Sequence, residues 1–152
     1  GGVMLGGLLA ALLGAGCRTP APLPPVDLQR PGWTLRQGQA VWTPAGGKPG
    51  VAGELLAAHR GEEACFVQFS KPPFTLASAQ AQAGAWAVSL PLLRRRQQGQ
   101  GPPPARCVWF ALIEATAGRK LSADWRFESR GAGGWLLENV RSGETLEGYF
   151  EP

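Results

Sequence analysis

The fold is decided by one apolar stretch, 105-ARCVWFALIEATA-117. Its composition predicts a helix over residues 105–117, preceded by Pro104, a favoured helix-start residue, and followed by Gly118, a natural C-terminal cap. Apolar side chains cover nearly the whole circumference of this helix, and Glu114 is its only acidic residue. Because a helix that is apolar on all sides is buried on more than one side, we expect it to lie inside a curved sheet.

The segments on both sides of this helix have the composition of β-strands. Strands are predicted before the helix at residues 32–43, 51–60, 64–70, 74–82 and 84–90, and after it at residues 122–129, 134–140 and 145–150. Residues 92–104, which carry three arginines and three prolines, are predicted to form a long loop without regular pattern. The predicted fold class is therefore α+β, mainly antiparallel β, with a curved, half-closed antiparallel sheet wrapped around one buried helix.

The first 17 residues indicate where the protein works. Residues 1–16 form an uncharged apolar run that ends at Cys17, and this run is short for a membrane-spanning helix, which needs about 20 residues. Small residues and a cysteine directly after such a run are similar to the lipobox of a bacterial lipoprotein signal peptide, which implies that Cys17 becomes a lipidated N-terminus. An ordinary cleaved signal and an uncleaved anchor or buried segment are the alternatives.

The remaining chain divides into a linker and one domain. Residues 18–31 form a Pro-rich linker, in which five prolines favour an extended polyproline II spacer that holds a domain off the bilayer. Residues 32–152 are predicted to be a single β-rich domain. The net charge of +4, behind a secretion signal, favours anionic lipid headgroups over nucleic acid as a partner, although solubility alone also explains it. We expect no nucleic-acid partner and a monomer.

The cysteines of the predicted domain admit two interpretations. Cys65 and Cys107 form a pair in a predicted oxidising compartment, where a disulfide could join them. Each also has apolar neighbours in sequence, Phe66 and Val67 for the first and Val108 and Trp109 for the second. Free cysteines in such surroundings behave as small buried hydrophobes.

The sequence has no pattern typical of catalysis or metal binding. His59 is the only histidine, and no G-x-S-x-G motif accompanies it. Two scattered cysteines and one histidine do not supply the several ligands of a zinc site. Phosphate-binding and dinucleotide-binding glycine motifs are absent from the sequence as well. We therefore expect no enzyme activity, no metal site and no cofactor.

Six tryptophans are the remaining signal for function. All lie in predicted strands or in the predicted helix: Trp33, Trp42, Trp86, Trp109, Trp125 and Trp135. They fit either a Trp-rich core or the wall of a cavity that accepts an apolar ligand. In the second case the ligand is an acyl chain, whose burial contributes about 0.8 kcal/mol per CH₂.

In layout, the chain resembles the lipoprotein-carrier family of the periplasmic chaperone LolA and the outer-membrane receptor LolB. The similar features are the lipobox at Cys17, the Pro-rich spacer, the strands interrupted at Pro72-Pro73, the helix plug and the C-terminal strands between Trp125 and Tyr149. The resemblance implies a lipid-anchored protein on the periplasmic face of the outer membrane, and Arg18 directly after the cysteine is compatible with export there. It also implies binding of acyl chains or lipoproteins, with a periplasmic carrier as a further partner.

The same resemblance directs attention to residues 92–96. LolB inserts an apolar residue from a protruding loop, and Leu92 and Leu93 are the candidates for that role. Arg94, Arg95 and Arg96 would then meet anionic headgroups. The alternative function is a membrane-anchored scaffold with a fully packed core, which binds a protein partner through an edge strand.

Overall fold

The computed structural model describes residues 22–152, so that Cys17 and the predicted signal segment lie outside the described residues. The strands are β1 (Thr34–Thr43), β2 (Val51–Arg60), β3 (Ala64–Lys71), β4 (Phe74–Gln82), β5 (Ala85–Leu90), β6 (Arg95–Gln100), β7 (Trp125–Arg130), β8 (Gly134–Asn139) and β9 (Thr145–Phe150). One α-helix, α1 (Val108–Thr116), follows β6, and a 3-10 turn (Pro91–Leu93) joins β5 to β6.

Within residues 22–152, all nine strands form one antiparallel sheet in the order β6-β5-β4-β3-β2-β1-β9-β8-β7. The predicted α+β class with mainly antiparallel strands is confirmed. The sheet is not closed, because β6 and β7 each have a strand neighbour on one side only.

One predicted element was wrong, the long loop at residues 92–104. Six of its residues form β6, which pairs with β5 along its whole length. An edge strand leaves its polar side chains in solvent, so it lacks the alternation of apolar residues by which strands are recognised. The side chain of Trp86 covers Gly99 of β6, where an added Cβ would lie 2.8 Å from the indole ring. The helix also begins later than predicted, because Cys107 has an extended backbone and caps it.

Glycines bring β1 and β9 close together where the six N-terminal strands of the sheet meet the three C-terminal strands. A Cβ on Gly38 would collide with the carbonyl oxygen of Tyr149, and one on Gly148 would collide with that of Gln39. Glycine inside a strand is typical of bends and of close backbone approach. These two positions therefore let the sheet coil where its two halves meet.

The helix lies on the inner face of the sheet, the face that carries Ala57, Val67 and Ala79. It contacts β2, β3 and β4, and the alanines on the inner face of β2 and β4 permit close approach. Six consecutive helix residues, Val108 to Ile113, are buried, as predicted for a helix that is apolar on all sides. Trp109 stacks on Phe69 with ring centroids 5.4 Å apart.

The end of the Pro-rich linker lies against the opposite, outer face of the sheet. Gln80 and Gln82 of β4 both donate side-chain hydrogen bonds to the carbonyl oxygen of Pro24, at 3.1 and 3.3 Å. Closer to β1, the guanidinium of Arg60 lies over the ring of Trp33 at 5.8 Å. Residues 22–31 contain neither helix nor strand, yet Pro24 attaches them to the domain through its hydrogen bonds with β4.

Truncating the helix core tests this packing. Leu112→Ala should lower the free energy of unfolding by about 2–5 kcal/mol, because Leu112 is fully buried between helix and sheet. Leu35→Ala is the matched control and should change it by less than about 0.5 kcal/mol, since Leu35 is exposed on β1. Urea denaturation measures both. Equal losses in the two variants would contradict the burial of α1.

Candidate functional site

Two cavities flank α1, and the larger of the two lies between the helix, Cys65 of β3 and the segments that precede and follow the helix. This seam cavity has a volume of about 340 Å³, within the range of about 300–1,000 Å³ typical of small-molecule sites. It is lined by helix residues and by the chain segments that enter and leave the helix: Cys65, Pro102, Pro103, Pro104, Ala105, Phe110, Ala111, Ile113, Glu114, Lys120, Leu121, Ser122 and Trp125.

Carbon atoms form the body of the seam cavity, and its charges belong to two lining residues, Glu114 and Lys120. The indole N–H of Trp125 donates a hydrogen bond to the carbonyl oxygen of Ala105 at 2.7 Å, so the polar atom of this ring already has a partner. Glu114 forms an ion pair with Arg119 at 3.2 Å. An apolar body with few charged side chains suits a hydrocarbon chain that carries a polar head.

The second cavity lies at the N-terminal end of the helix. This end cavity has a volume of about 270 Å³ and is lined by Trp42, Val88, Leu90, Gln97, Pro104, Arg106, Cys107, Val108, Trp109 and Glu144. Its aromatic wall consists of Trp42 and Trp109, whose ring centroids are 5.3 Å apart. Pro104 lines both cavities, so the segment that precedes α1 separates them.

A partly buried carboxyl group gives the end cavity its polarity. Burial raises the pKa of Glu144 above its usual value. The indole N–H of Trp42 donates a hydrogen bond to Glu144 Oε2 at 2.9 Å. This hydrogen bond lowers the pKa, against the effect of burial, because it stabilises the ionised carboxylate. Arg106 is the other charged residue that lines this cavity.

The structure does not bring the six tryptophans together. Trp42 and Trp109 line the end cavity, and Trp125 lines the seam cavity. The others are placed by packing: Trp135 stacks on Phe150 at 5.2 Å, Trp86 meets Phe110 edge to face at 6.4 Å, and Trp33 lies beneath Arg60. Sequence reasoning missed the contribution of Pro102 to Pro104, whose only signal was a proline run before the helix.

Both cysteines of the domain are free thiols in the structure, so the predicted alternative of a disulfide is not realised there. Cys65 lines the seam cavity and Cys107 lines the end cavity. Burial raises the pKa of Cys65 to about 11 and raises that of Cys107 as well. Cys65 is buried among apolar neighbours and agrees with the interpretation as a small hydrophobe.

The predicted membrane-contact residues lie together at one tip. Leu92 and Leu93 belong to the 3-10 turn between β5 and β6 and are 62% and 61% exposed. Arg94 follows in a left-handed conformation with a φ of 50°. Arg95 and Arg96 begin β6, and all three arginines are exposed. We call residues 91–96 the β5–β6 tip.

The electrostatics of the end cavity can be tested by titration. Trp42→Phe should raise the pKa of Glu144 further, because it removes the hydrogen bond that stabilises the carboxylate while the burial remains. Carbon-detected NMR of the side-chain carboxyl group measures this shift. An unchanged or lower pKa would contradict the assignment of the hydrogen bond.

The same group affects stability in a defined direction. Since burial raises the folded-state pKa of Glu144, the contribution of this group to stability falls as the pH rises from the pKa of an unfolded glutamate, about 4.3, through the folded-state pKa. Glu144→Gln should therefore lose less stability than the wild type over that range. A larger loss in the variant, measured by urea denaturation at several pH values, would contradict this sign.

No known protein-family model matches the chain, and no curated protein is significantly similar to it in sequence. In the part of the chain that the structure describes, no helix has the length and apolar character needed to cross a membrane. Among the same residues, no three His, Cys, Asp or Glu side chains are grouped as a metal site requires. The function is therefore inferred from the two cavities and the exposed tip.

Proposed function

We propose that this protein is a lipid-anchored receptor on the periplasmic face of the outer membrane, similar to LolB, which binds the acyl chains of lipids or lipoproteins. The observation that carries the proposal is the seam cavity, which has an apolar body and is bordered largely by the segments that precede and follow the helix. The lining segments 102–105 and 120–122 belong to no strand, so a ligand that displaces them would break no strand pair. Phe110 and Trp125 would contact the hydrocarbon, and Glu114 and Lys120 would lie near the polar head.

Hydrocarbon burial supplies enough free energy for such binding. An acyl chain that buries about ten methylenes gains about 8 kcal/mol before the cost of immobilisation is subtracted. Specific polar contacts are then unnecessary, which agrees with a cavity whose one indole N–H is already paired within the protein.

The β5–β6 tip supports a position at the membrane. Exposed leucines insert into the bilayer, and neighbouring arginines each contribute about 1 kcal/mol at an anionic surface. Pro24 is held by Gln80 and Gln82 toward the end of β4 that lies away from the tip, and Cys17 precedes Pro24 by seven positions, so this placement requires a nearly extended linker. Seven residues span at most about 23–25 Å when extended, so an anchor at Cys17 would keep the domain close to the bilayer. A periplasmic carrier would deliver the lipoprotein, and the receptor would act as a monomer.

A second candidate is a membrane-anchored scaffold without a ligand. It is favoured by the centre of the interface between helix and sheet, where Phe69 and Leu112 are fully buried. In this case a protein partner would pair with the free edge of β7 or β6. The two candidates differ in whether the seam cavity takes up hydrocarbon.

Ligand uptake can be measured by native mass spectrometry of the full chain, released from detergent micelles, with a triacylated lipopeptide. We expect one bound lipopeptide per chain. Leu121→Trp should reduce that adduct at least about tenfold, because the larger ring fills a half-buried position in the lining of the seam cavity.

Leu35→Trp, on the exposed outer face of β1, is the control and should bind like the wild type. A folded wild-type protein that forms no adduct would rule out the receptor and favour the scaffold.

A further inference from the structure

The turns between paired strands place four parts of the chain at the same end of the sheet. Lys71 and Phe74 close the ladder between β3 and β4, and β4 contacts the 3-10 turn of the β5–β6 tip. Residues 44–50 join β1 to β2 at this end, and residues 140–144 join β8 to β9 there, because Thr145 pairs with Thr43. We call residues 44–50, 71–74, 91–96 and 140–144 the turn end.

Large apolar side chains are exposed preferentially at the turn end. Of the seven that are exposed among the described residues, four lie there: Phe74, Leu92, Leu93 and Val140. Phe74 is 59% exposed, although an aromatic ring of this size usually finds a partner. Exposed apolar groups that cluster in this way mark a surface that another phase or molecule covers.

The charges around these apolar groups are mostly positive. Exposed basic residues of the turn end are Lys48, Lys71, Arg94, Arg95, Arg96 and Arg141. The acidic groups nearby already have partners: Asp124 lies 3.7 Å from Arg141, and Glu144 accepts the hydrogen bond from Trp42. A basic surface with protruding apolar side chains is complementary to an anionic bilayer, into which rings and leucines insert while cations meet the headgroups.

We infer that Phe74 and Lys71, in the turn between β3 and β4, form a second membrane-contact element, and that the turn end as a whole binds an anionic lipid surface. Two insertion points fix orientation, which a single tip cannot do. The strands would then stand with the turn end toward the bilayer, and the end cavity, which Leu90 and Trp42 line, would face the lipid.

This inference rests on the proposed membrane location and does not depend on uptake of an acyl chain. A protein surface is the other class of molecule that could cover Phe74. A bilayer fits better, because the exposed apolar side chains lie on three separate turns, and six exposed basic residues lie on the same end of the sheet.

The experiment measures insertion of individual positions in the full, anchored chain. Single cysteines are introduced as Phe74→Cys, Leu92→Cys and Glu62→Cys in a Cys65→Ala, Cys107→Ser background and are labelled with an environment-sensitive fluorophore. Glu62, in the exposed turn between β2 and β3 at the opposite end, is the control. The proteins are reconstituted into vesicles of phosphatidylcholine with and without about 30% phosphatidylglycerol, and circular dichroism checks their fold.

We expect a blue shift and quenching by brominated lipids at positions 74 and 92, stronger with the anionic lipid, and neither effect at position 62. If position 92 responds but position 74 behaves like position 62, this inference is overturned and the tip alone contacts the membrane. If neither position responds, the turn end does not contact the membrane, and both this inference and the role of the tip are overturned. A protein surface is then the molecule that covers Phe74. Equal insertion in vesicles without phosphatidylglycerol would overturn the role of the basic residues.

Lipopeptide uptake, measured separately by mass spectrometry, shows whether the proposed receptor function stands or fails. A folded chain that takes up no lipopeptide but inserts at position 74 would remove the receptor and leave the inference intact.

Discussion

The structure depends on enclosing a short helix that has no polar face. Val108 to Ile113 are all buried, so apolar groups must surround α1 on every side of its first turns. The sheet encloses the helix in two ways. Small alanine side chains on β2 and β4 let the helix pack close to the sheet, and large aromatic rings on neighbouring strands pack around it. The small alanines beneath the helix and the large rings beside it thus fill the space around the helix together.

The cavities follow from the same constraint. A nine-residue helix is short compared with the inner face of a nine-stranded sheet, so space remains at its N-terminal end and along its open side. The segments that enter and leave the helix cover this space incompletely. Pro104 lies between the two cavities, and a movement of its segment would join them. The proposed uptake of hydrocarbon would use this incompletely covered space, since the segments that border it belong to no strand.

The strands and the buried helix could be predicted because their signals are local. Strands β2 and β4 begin and end where the sequence predicts. Strand β6 could not be found, since an edge strand rich in arginine and glutamine has no apolar period. The cavity residues were predicted only in part, because the strand register decides which tryptophans lie next to each other at a cavity. The proposed role of Phe74 depends on the register of all four hairpins that meet at the turn end, which no single segment encodes.

The central claim is that hydrocarbon occupies the seam cavity while the sheet remains intact. Intermolecular nuclear Overhauser effects between the acyl methylenes of a lipopeptide and the protein test it most directly. We expect contacts from the methylenes to the rings of Phe110 and Trp125, with the cross-strand amide contacts of β2 to β4 retained. Methylene contacts confined to Leu92, Leu93 and Phe74, with none to those two rings, would contradict it.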